Sequence, residues 1–239
     1  LMILIVFSQL FPAACLAQEG GPLIVQYDGQ AAIFPASWQK AGTRAKATAA
    51  NDSIFRLDSL VIDQAMGKYT NAILQQELKH VYVTGRIKFN GQYFTGTNSN
   101  EDVYIAVEAN PDIEKTFHHE FSSILLRNHS DLELEMKWRS LSPGLRNGNS
   151  AAAVKAGIYA TGIDTALCAK GYLSAYALSN WENDFNMYAE NIFAGGKEFW
   201  AVVDRFPAVK QKAGLVISFY HKIWPGYTEN FFRAAAGPQ

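Results

Sequence analysis

The segment TFHHEFSSILL, residues 116–126, contains residue types that could hold a metal ion. His119 and Glu120 begin the pattern HExxH, in which two histidines four residues apart lie on one helix face and clamp Zn²⁺. The glutamate between them acts as base on the metal-bound water. Ser123 occupies the position of the second histidine, and a serine hydroxyl is a poor zinc ligand. The segment therefore fits either an altered metal site, with His118 as a further candidate ligand, or an ordinary amphipathic helix.

A second segment, WENDFNMYAENIF at 181–193, carries carboxylates at helical spacing. Glu182 and Glu190 are eight residues apart, so they lie near one stripe of a helix, with Asn186 between them. Both are candidate metal ligands. A solvated amphipathic helix with a core of aromatic and aliphatic residues would show the same pattern.

Strands that could support these helices follow from alternating hydrophobicity. VYVTGRIKFN at 81–90 alternates apolar and polar residues, as a half-buried strand does, and EDVYIAVE at 101–108 is a second strand candidate. PLIVQY at 22–27 is a possible short strand. The turn-rich segment GQYFTGTNSN at 91–100 predicts a loop between the two longer strands.

Helices are predicted before and after these strands. Residues 55–80 have apolar positions at helical spacing and a break near Gly67, and Pro111 and Asp112 suit the start of the helix that bears His119. Gly195 and Gly196 end the helix that bears Glu190, and Pro207 starts one of the helices in the tail. The order helices, strands, helices indicates an α+β fold, with residues 18–239 forming one domain.

Composition excludes several classes of function. The net charge is −1 and no run of basic residues is present, so nothing favours nucleic-acid binding. Hydrophobic residues make up 49% of the chain, which is enough to bury a sizeable core. Cys168 lies among small and apolar residues and is predicted to be a buried, unreactive thiol.

The first seventeen residues, LMILIVFSQLFPAACLA, are apolar and end in small residues. This pattern predicts a secretory signal, cleaved after Ala17, on an exported protein. In an alternative interpretation Cys15 is lipidated and attaches the protein to a membrane. A buried N-terminal helix is the third possibility.

The pieces FHHEFSSILL, GYLSAYALSN and ENDFNMYAE, in this order, resemble a family of exported or lipid-anchored zinc-binding metallopeptidases. The family belongs to the gluzincin group and is similar to the catalytic domain of anthrax lethal factor. The resemblance covers roughly residues 55–230. It implies a zincin-like fold, with a small twisted sheet and two helices that face each other across a cleft.

The resemblance also implies roles for individual residues. Zinc would be held by His119, with His118 and either Glu190 or Glu182, while Glu120 would be the general base. Tyr176, in the loop that precedes the second helix, would stabilise the oxyanion. At two aligned positions this sequence lacks the ligand that the family has. Ser123 replaces the second histidine, and Asn183 or Asn186, depending on the alignment, replaces the glutamate that is the third ligand.

Three functions are compatible with this sequence. The first is a zinc metallopeptidase with altered ligands that cleaves peptide bonds. The second is a pseudo-protease that keeps the fold and the cleft but binds a peptide or protein partner without metal. The third is an exported domain with a structural or surface-nutrient role, in which the histidines are packed.

Overall fold

The computed structural model describes residues 21–148 and 150–235, so the predicted signal segment and Cys15 lie outside the described residues. Strands form two sheets, one ordered β1-β3-β7-β6 and one ordered β2-β4-β5. The strands are β1 Leu23–Gln26, β2 Lys46–Ala47, β3 His80–Thr84, β4 Ile87–Phe89, β5 Gln92–Phe94, β6 Gly96–Asn98 and β7 Asp102–Ala106. In the four-stranded sheet, β1, β3 and β7 run parallel and β6 is the antiparallel edge strand.

Helices precede and follow the sheets, so the predicted α+β class is confirmed. They are α1 Asp52–Met66, α2 Asn71–Glu77, α3 Ile113–His129, α4 Leu132–Ser140, α5 Ser150–Lys155, α6 Thr165–Cys168, α7 Trp181–Ala194, α8 Gly196–Arg205, α9 Pro207–Ile223 and α10 Glu229–Ala235. Short 3₁₀ turns cover Ala36–Gln39 and Tyr176–Ser179. In the part of the chain that the structure describes, no helix combines the length and the apolarity needed to cross a membrane.

Helix α3 begins where the sequence predicts. The Asp112 side chain caps it by accepting a hydrogen bond from the Lys115 N–H, which satisfies one of the free donors of the first turn. Phe117, Phe121 and Ile124 are fully buried and belong to the core that joins α3 to the four-stranded sheet and α7. The packing of this apolar face determines which side of α3 faces the solvent.

Two strand predictions are wrong. The segment 81–90 forms two strands in different sheets, β3 and β4, rather than one. The extended segment is interrupted at Gly85, between β3 and β4. An added Cβ there would lie 2.4 Å from the Ala49 carbonyl oxygen, so only glycine permits this close backbone approach. The predicted loop at 91–100 contains β5 and β6, which are joined through Thr95. The Thr95 carbonyl accepts a hydrogen bond from Ala106, so the chain passes from one sheet to the other without leaving an extended path.

The back of α7 carries an ion pair in the core. Lys212 Nζ lies 2.6 Å from Asp184 Oδ2, and both side chains are fully buried. Asp184 also accepts a hydrogen bond from Trp138 Nε1 at 2.9 Å, and the lysine ammonium lies 4.2 Å from the ring centre of Tyr172. Burial raises the pKa of Asp184 to about 6, with the Lys212 charge acting against it.

Cys168 is completely buried, which confirms the prediction made from its neighbours. Burial raises its pKa to about 11, and the negative charge of Asp164 adds to this rise. At neutral pH the thiol is therefore protonated and unreactive.

Candidate functional site

The front faces of α3 and α7 meet in three polar contacts. His119 Nδ1 lies 2.8 Å from Glu190 Oε2, Asn186 Nδ2 donates to Ser123 Oγ at 2.7 Å, and Arg127 Nη1 lies 3.5 Å from Glu182 Oε1. Each step along α3 is four residues forward, and each step along α7 is four residues back. The two helices are therefore antiparallel, and the contacts follow one another by about one turn.

His119 is oriented by Glu190. The two side chains are only 12% and 7% exposed. An ionised carboxylate can only accept, so Nδ1 carries the hydrogen in this bond and Nε2 is the ring nitrogen that takes no part in it. Burial acts to lower the pKa of His119, but the hydrogen bond and charge of Glu190, with Glu120 and Glu182 further away, raise it above its ordinary value. Glu190 thus acts here as a partner of the imidazole.

Glu120 lies beside the edge strand. Its Oε2 accepts a hydrogen bond from Asn98 Nδ2 at 2.5 Å, and Asn98 Oδ1 accepts from Arg127 Nη2 at 2.6 Å. Burial raises the pKa of Glu120, while the charge of His119 and the Asn98 hydrogen bond act to lower it. A Cβ on Gly96 would lie 2.9 Å from Glu120 Cγ, so glycine lets β6 approach α3 at this point.

His118 is on a different face of α3 from His119. It is completely buried, its Nδ1 lies 2.9 Å from Tyr69 Oη, and its ring stacks on Phe193 at 4.6 Å between centres. Burial lowers its pKa to about 4, although Glu114 acts to raise it. The structure therefore does not bring His118 to the ligand side of His119, because residues adjacent in a helix point about 100° apart.

Tyr176 and Glu182 both line the cleft in front of His119. Tyr176 opens the 3₁₀ turn before α7, and its ring centre lies 6.0 Å from that of His119. Its role as an oxyanion donor stays a prediction. Glu182 lies near Arg127, two helical turns from Glu190 along α7, so these two glutamates do not approach His119 together.

The cleft has a volume of about 670 Å³, which is in the range of ligand-binding sites. His119, Glu120, Ser123 and Tyr176 line one side, and the edge strand β6 contributes Gly96, Thr97 and Asn98. Aromatic rings from the three-stranded sheet line another part of it. Sequence reasoning missed Asn98 and those rings, because they lie in segments read as loop or assigned no role.

These side chains do not fit a zinc site. Within residues 21–148 and 150–235, no group of three or more His, Cys, Asp or Glu side chains could hold a metal ion. Ser123, at the position of the second histidine, instead contacts Asn186, which is one of the two candidates, with Asn183, for the position of the third ligand. Asn186 Oδ1 accepts no hydrogen bond from the described part of the chain, but an amide oxygen and a hydroxyl are neutral, hard donors that do not favour zinc.

Comparisons with known proteins support the fold. The structure is similar to the crystal structure of a protein from Bacteroides caccae ATCC 43185 that is provisionally designated a zinc-binding metallo-peptidase. The TM-score is 0.54 and the sequence identity 14%, over 80% of this chain and 78% of that one. No protein-family model and no curated protein matches the sequence. The likeness is therefore one of fold, at a distance at which side-chain chemistry is not shared by default.

Proposed function

We propose that the protein is a pseudo-protease: a peptide-binding module with a zincin-like fold whose cleft works without zinc. The observation that carries this proposal is the hydrogen bond between Ser123 and Asn186. Ser123 is at the position of the family's second histidine, and Asn186 is at the position of its third ligand when the sequences are aligned on Ala189 and Glu190. The Ser123 hydroxyl and the Asn186 amide are both neutral, so this contact carries no negative charge that a cation would have to balance. With His119 held by Glu190, one imidazole nitrogen is left as a strong zinc donor.

A peptide is the favoured ligand because of the edge strand. The Thr95 carbonyl and the Ser99 N–H bond to β7, and hydrogen-bonded residues alternate along an antiparallel pair. Gly96 and Asn98 therefore turn their N–H and C=O groups away from β7. Both residues line the cleft, so an extended peptide can add to the sheet there.

The alternative is a zinc metallopeptidase with altered ligands, with Glu120 as the base and Tyr176 as the oxyanion donor. It is supported by the provisional name of the similar protein. It requires a metal-activated water beside Glu120, and the donor set at Ser123 and Asn186 argues against one. Export, with lipidation of Cys15 as a variant, is part of either proposal.

The test measures metal and peptide separately. In the first experiment the protein is supplemented with zinc and dialysed, and its zinc content is measured by elemental analysis. In the second, immobilised protein is incubated with a degenerate library of acetylated decapeptides, and the retained peptides are identified by mass spectrometry. We expect far less than one zinc per chain, together with retention of intact peptides. Retained peptides resynthesised with N-methyl groups at alternate residues should lose binding, because they cannot pair with β6.

One zinc per chain that is lost in His119→Ala, together with cleaved peptides that survive intact in Glu120→Gln, would establish the enzyme instead. Absence of both zinc and retained peptides would contradict both proposals and favour the structural role.

A further inference from the structure

A second, smaller apolar cluster forms one wall of the cleft. It lies between the three-stranded sheet, the 3₁₀ turn at Ala36–Gln39 and strand β7 of the four-stranded sheet, with Phe34, Ile87 and Tyr104 buried at its centre. Trp38, Phe89 and Phe94 pack against this centre and are only partly buried. All three line the cleft. We refer to Trp38, Phe89 and Phe94 as the aromatic wall.

The aromatic wall is held in place before any ligand arrives. Trp38 meets Phe89 edge to face at 5.6 Å between ring centres, and Phe89 meets Phe94 in the same way at 5.4 Å. The Trp38 carbonyl accepts a hydrogen bond from the Ala45 N–H at 2.9 Å, and Tyr104 Oη donates to the Ile33 carbonyl at 2.9 Å. Rings fixed in this way lose little freedom when they bind.

The aromatic wall lies at a defined spacing from the polar end of the cleft. Phe94 precedes Gly96 by two residues along the extended path through Thr95, about 7 Å at the rise of a strand. Gly96 is the residue that contacts Glu120. In an extended ligand beside this path, side chains two positions apart point to the same face.

The polar end offers an aromatic side chain fewer rings, those of Tyr176 and His119. His119 and Glu120 are engaged with Glu190 and Asn98. The wall, in contrast, presents three ring surfaces to the cleft, and aromatic rings attract one another beyond the effect of the area they bury.

We propose that the aromatic wall is a specificity subsite for an aromatic side chain of the bound peptide. The residue it holds is two positions along the ligand from the one that lies over His119 and Glu120. The inference rests on the proposed function, and it names the ligand class that the cleft prefers: extended peptides with a phenylalanine, tyrosine or tryptophan at one position.

The test uses acetylated decapeptides of glycine, alanine and serine that differ at one central position, which is Phe, Leu, Lys or Ser. Isothermal titration calorimetry measures their affinities for the parent, for Trp38→Ala and for Tyr93→Ala. Tyr93 is on the hairpin that carries Phe89 and Phe94, but it lies outside the cleft, against Lys88, so Tyr93→Ala is the control. Circular dichroism checks that each variant is folded.

We expect the Phe peptide to bind the parent about tenfold more tightly than the Ser peptide, the equivalent of about 1.4 kcal/mol. Trp38→Ala should weaken binding of the Phe peptide far more than binding of the Ser peptide and so remove most of this preference, whereas Tyr93→Ala should change neither affinity. Binding of all four peptides with equal affinity, or preference for Lys, would overturn the subsite and leave the proposed function standing. A Phe preference that survives in folded Trp38→Ala would also overturn it, and no binding of any peptide would overturn both.

Discussion

The two adjacent histidines of α3 belong to very different surroundings. His118 faces the core, where burial lowers its pKa to about 4, whereas His119 faces the cleft, where Glu190 raises its pKa. Helix α7 repeats the contrast, because Asp184 on its back is neutralised by Lys212 while Asn186 on its front meets only the hydroxyl of Ser123. On the core side Asp184 lies beside the counter-charge of Lys212, whereas Ser123 and Asn186 on the cleft side are both neutral. This difference suggests that the cleft is stable without a cation.

The largest effect is expected at the core ion pair. Lys212→Met should lower the free energy of unfolding by about 3–5 kcal/mol, because it leaves the Asp184 carboxylate buried without its counter-charge. Urea denaturation followed by circular dichroism measures the loss. Adding Asp184→Asn to Lys212→Met should recover most of it. A loss below about 1 kcal/mol in the single variant would show that the core tolerates an unpaired charge. The proposed difference between the core side and the cleft side of α7 would then be wrong.

Acid should destabilise the protein through His118. Its pKa is about 4 in the folded protein against 6.5 for a free histidine, so below pH 6.5 the unfolded state binds a proton that the folded state does not. Stability is therefore full above pH 6.5 and falls as the pH drops toward 4, by about 3 kcal/mol in total.

Thermal unfolding between pH 7 and pH 4 tests this dependence. His118→Phe should flatten the profile, since phenylalanine can still stack on Phe193, and His221→Gln, at an exposed site, should leave it unchanged. A profile with the parent's slope in His118→Phe would assign the acid sensitivity to other groups.

The contrast can be reversed by rebuilding ligands on the cleft side. Ser123→His combined with Asn186→Glu places an imidazole and a carboxylate beside His119. With His119 they make three protein ligands, the number found in a catalytic zinc site. Zinc at a hundred times its Kd should then stabilise the double variant by about 2.7 kcal/mol, with about one zinc per chain. The parent should not respond, and neither should the double variant that also carries His119→Ala. A zinc response of the parent equal to that of the double variant would mean that the native residues already form a site.

A single charge on the cleft side should be costly. Asn186→Asp places a carboxylate at a fully buried position, where we expect a loss of about 2 kcal/mol at pH 7. Burial should raise the pKa of the new carboxyl, so the loss should shrink as the pH falls and the group is protonated. Denaturation at pH 7 and pH 5 checks this, with Asn71→Asp, at the exposed start of α2, as a control without loss.

The smallest effect concerns the approach of β6 to α3. In Gly96→Ala the new methyl group would lie 2.7 Å from Thr116 Cγ2 and 2.9 Å from Glu120 Cγ. Because the atoms that the methyl group meets belong to side chains, which can shift, we expect a loss of about 1 kcal/mol, at the low end for overpacking. The variant should also weaken peptide binding by moving the edge strand. Gly162→Ala, which meets nothing within 4 Å, is the matched control. Equal stability of the two variants would show that β6 is free to move.

Much of the framework could be predicted from the sequence. The starts of α3 and α9 were predictable because the capping residue Asp112 and the first-turn Pro207 mark helix starts locally. The two sheets could not be separated in the same way. The alternation in 81–90 says which side chains face inward but not which strand pairs with which, and the break at Gly85 depends on Ala49, which is distant in sequence.

The site was predictable in its members but not in its contacts. His119, Glu120, Ser123 and Asn186 were recognisable from the family pattern. That Glu190 orients the imidazole and that Ser123 bonds to Asn186 depends on how α3 and α7 are aligned, and that alignment is set by tertiary packing. Asn98 could not be identified from the sequence, because a polar residue in a segment with a turn-like composition is expected whether or not it belongs to a site.

The passage of one continuous chain from β5 to β6 divides the cleft into parts that can change separately over evolution. The aromatic wall is carried by the three-stranded sheet and the turn before it, whereas His119 and Glu120 are carried by α3. Substitutions or length changes in the hairpin at Asn90 and Gly91 could thus give a new ligand preference while the packing of α3 on α7 is inherited unchanged.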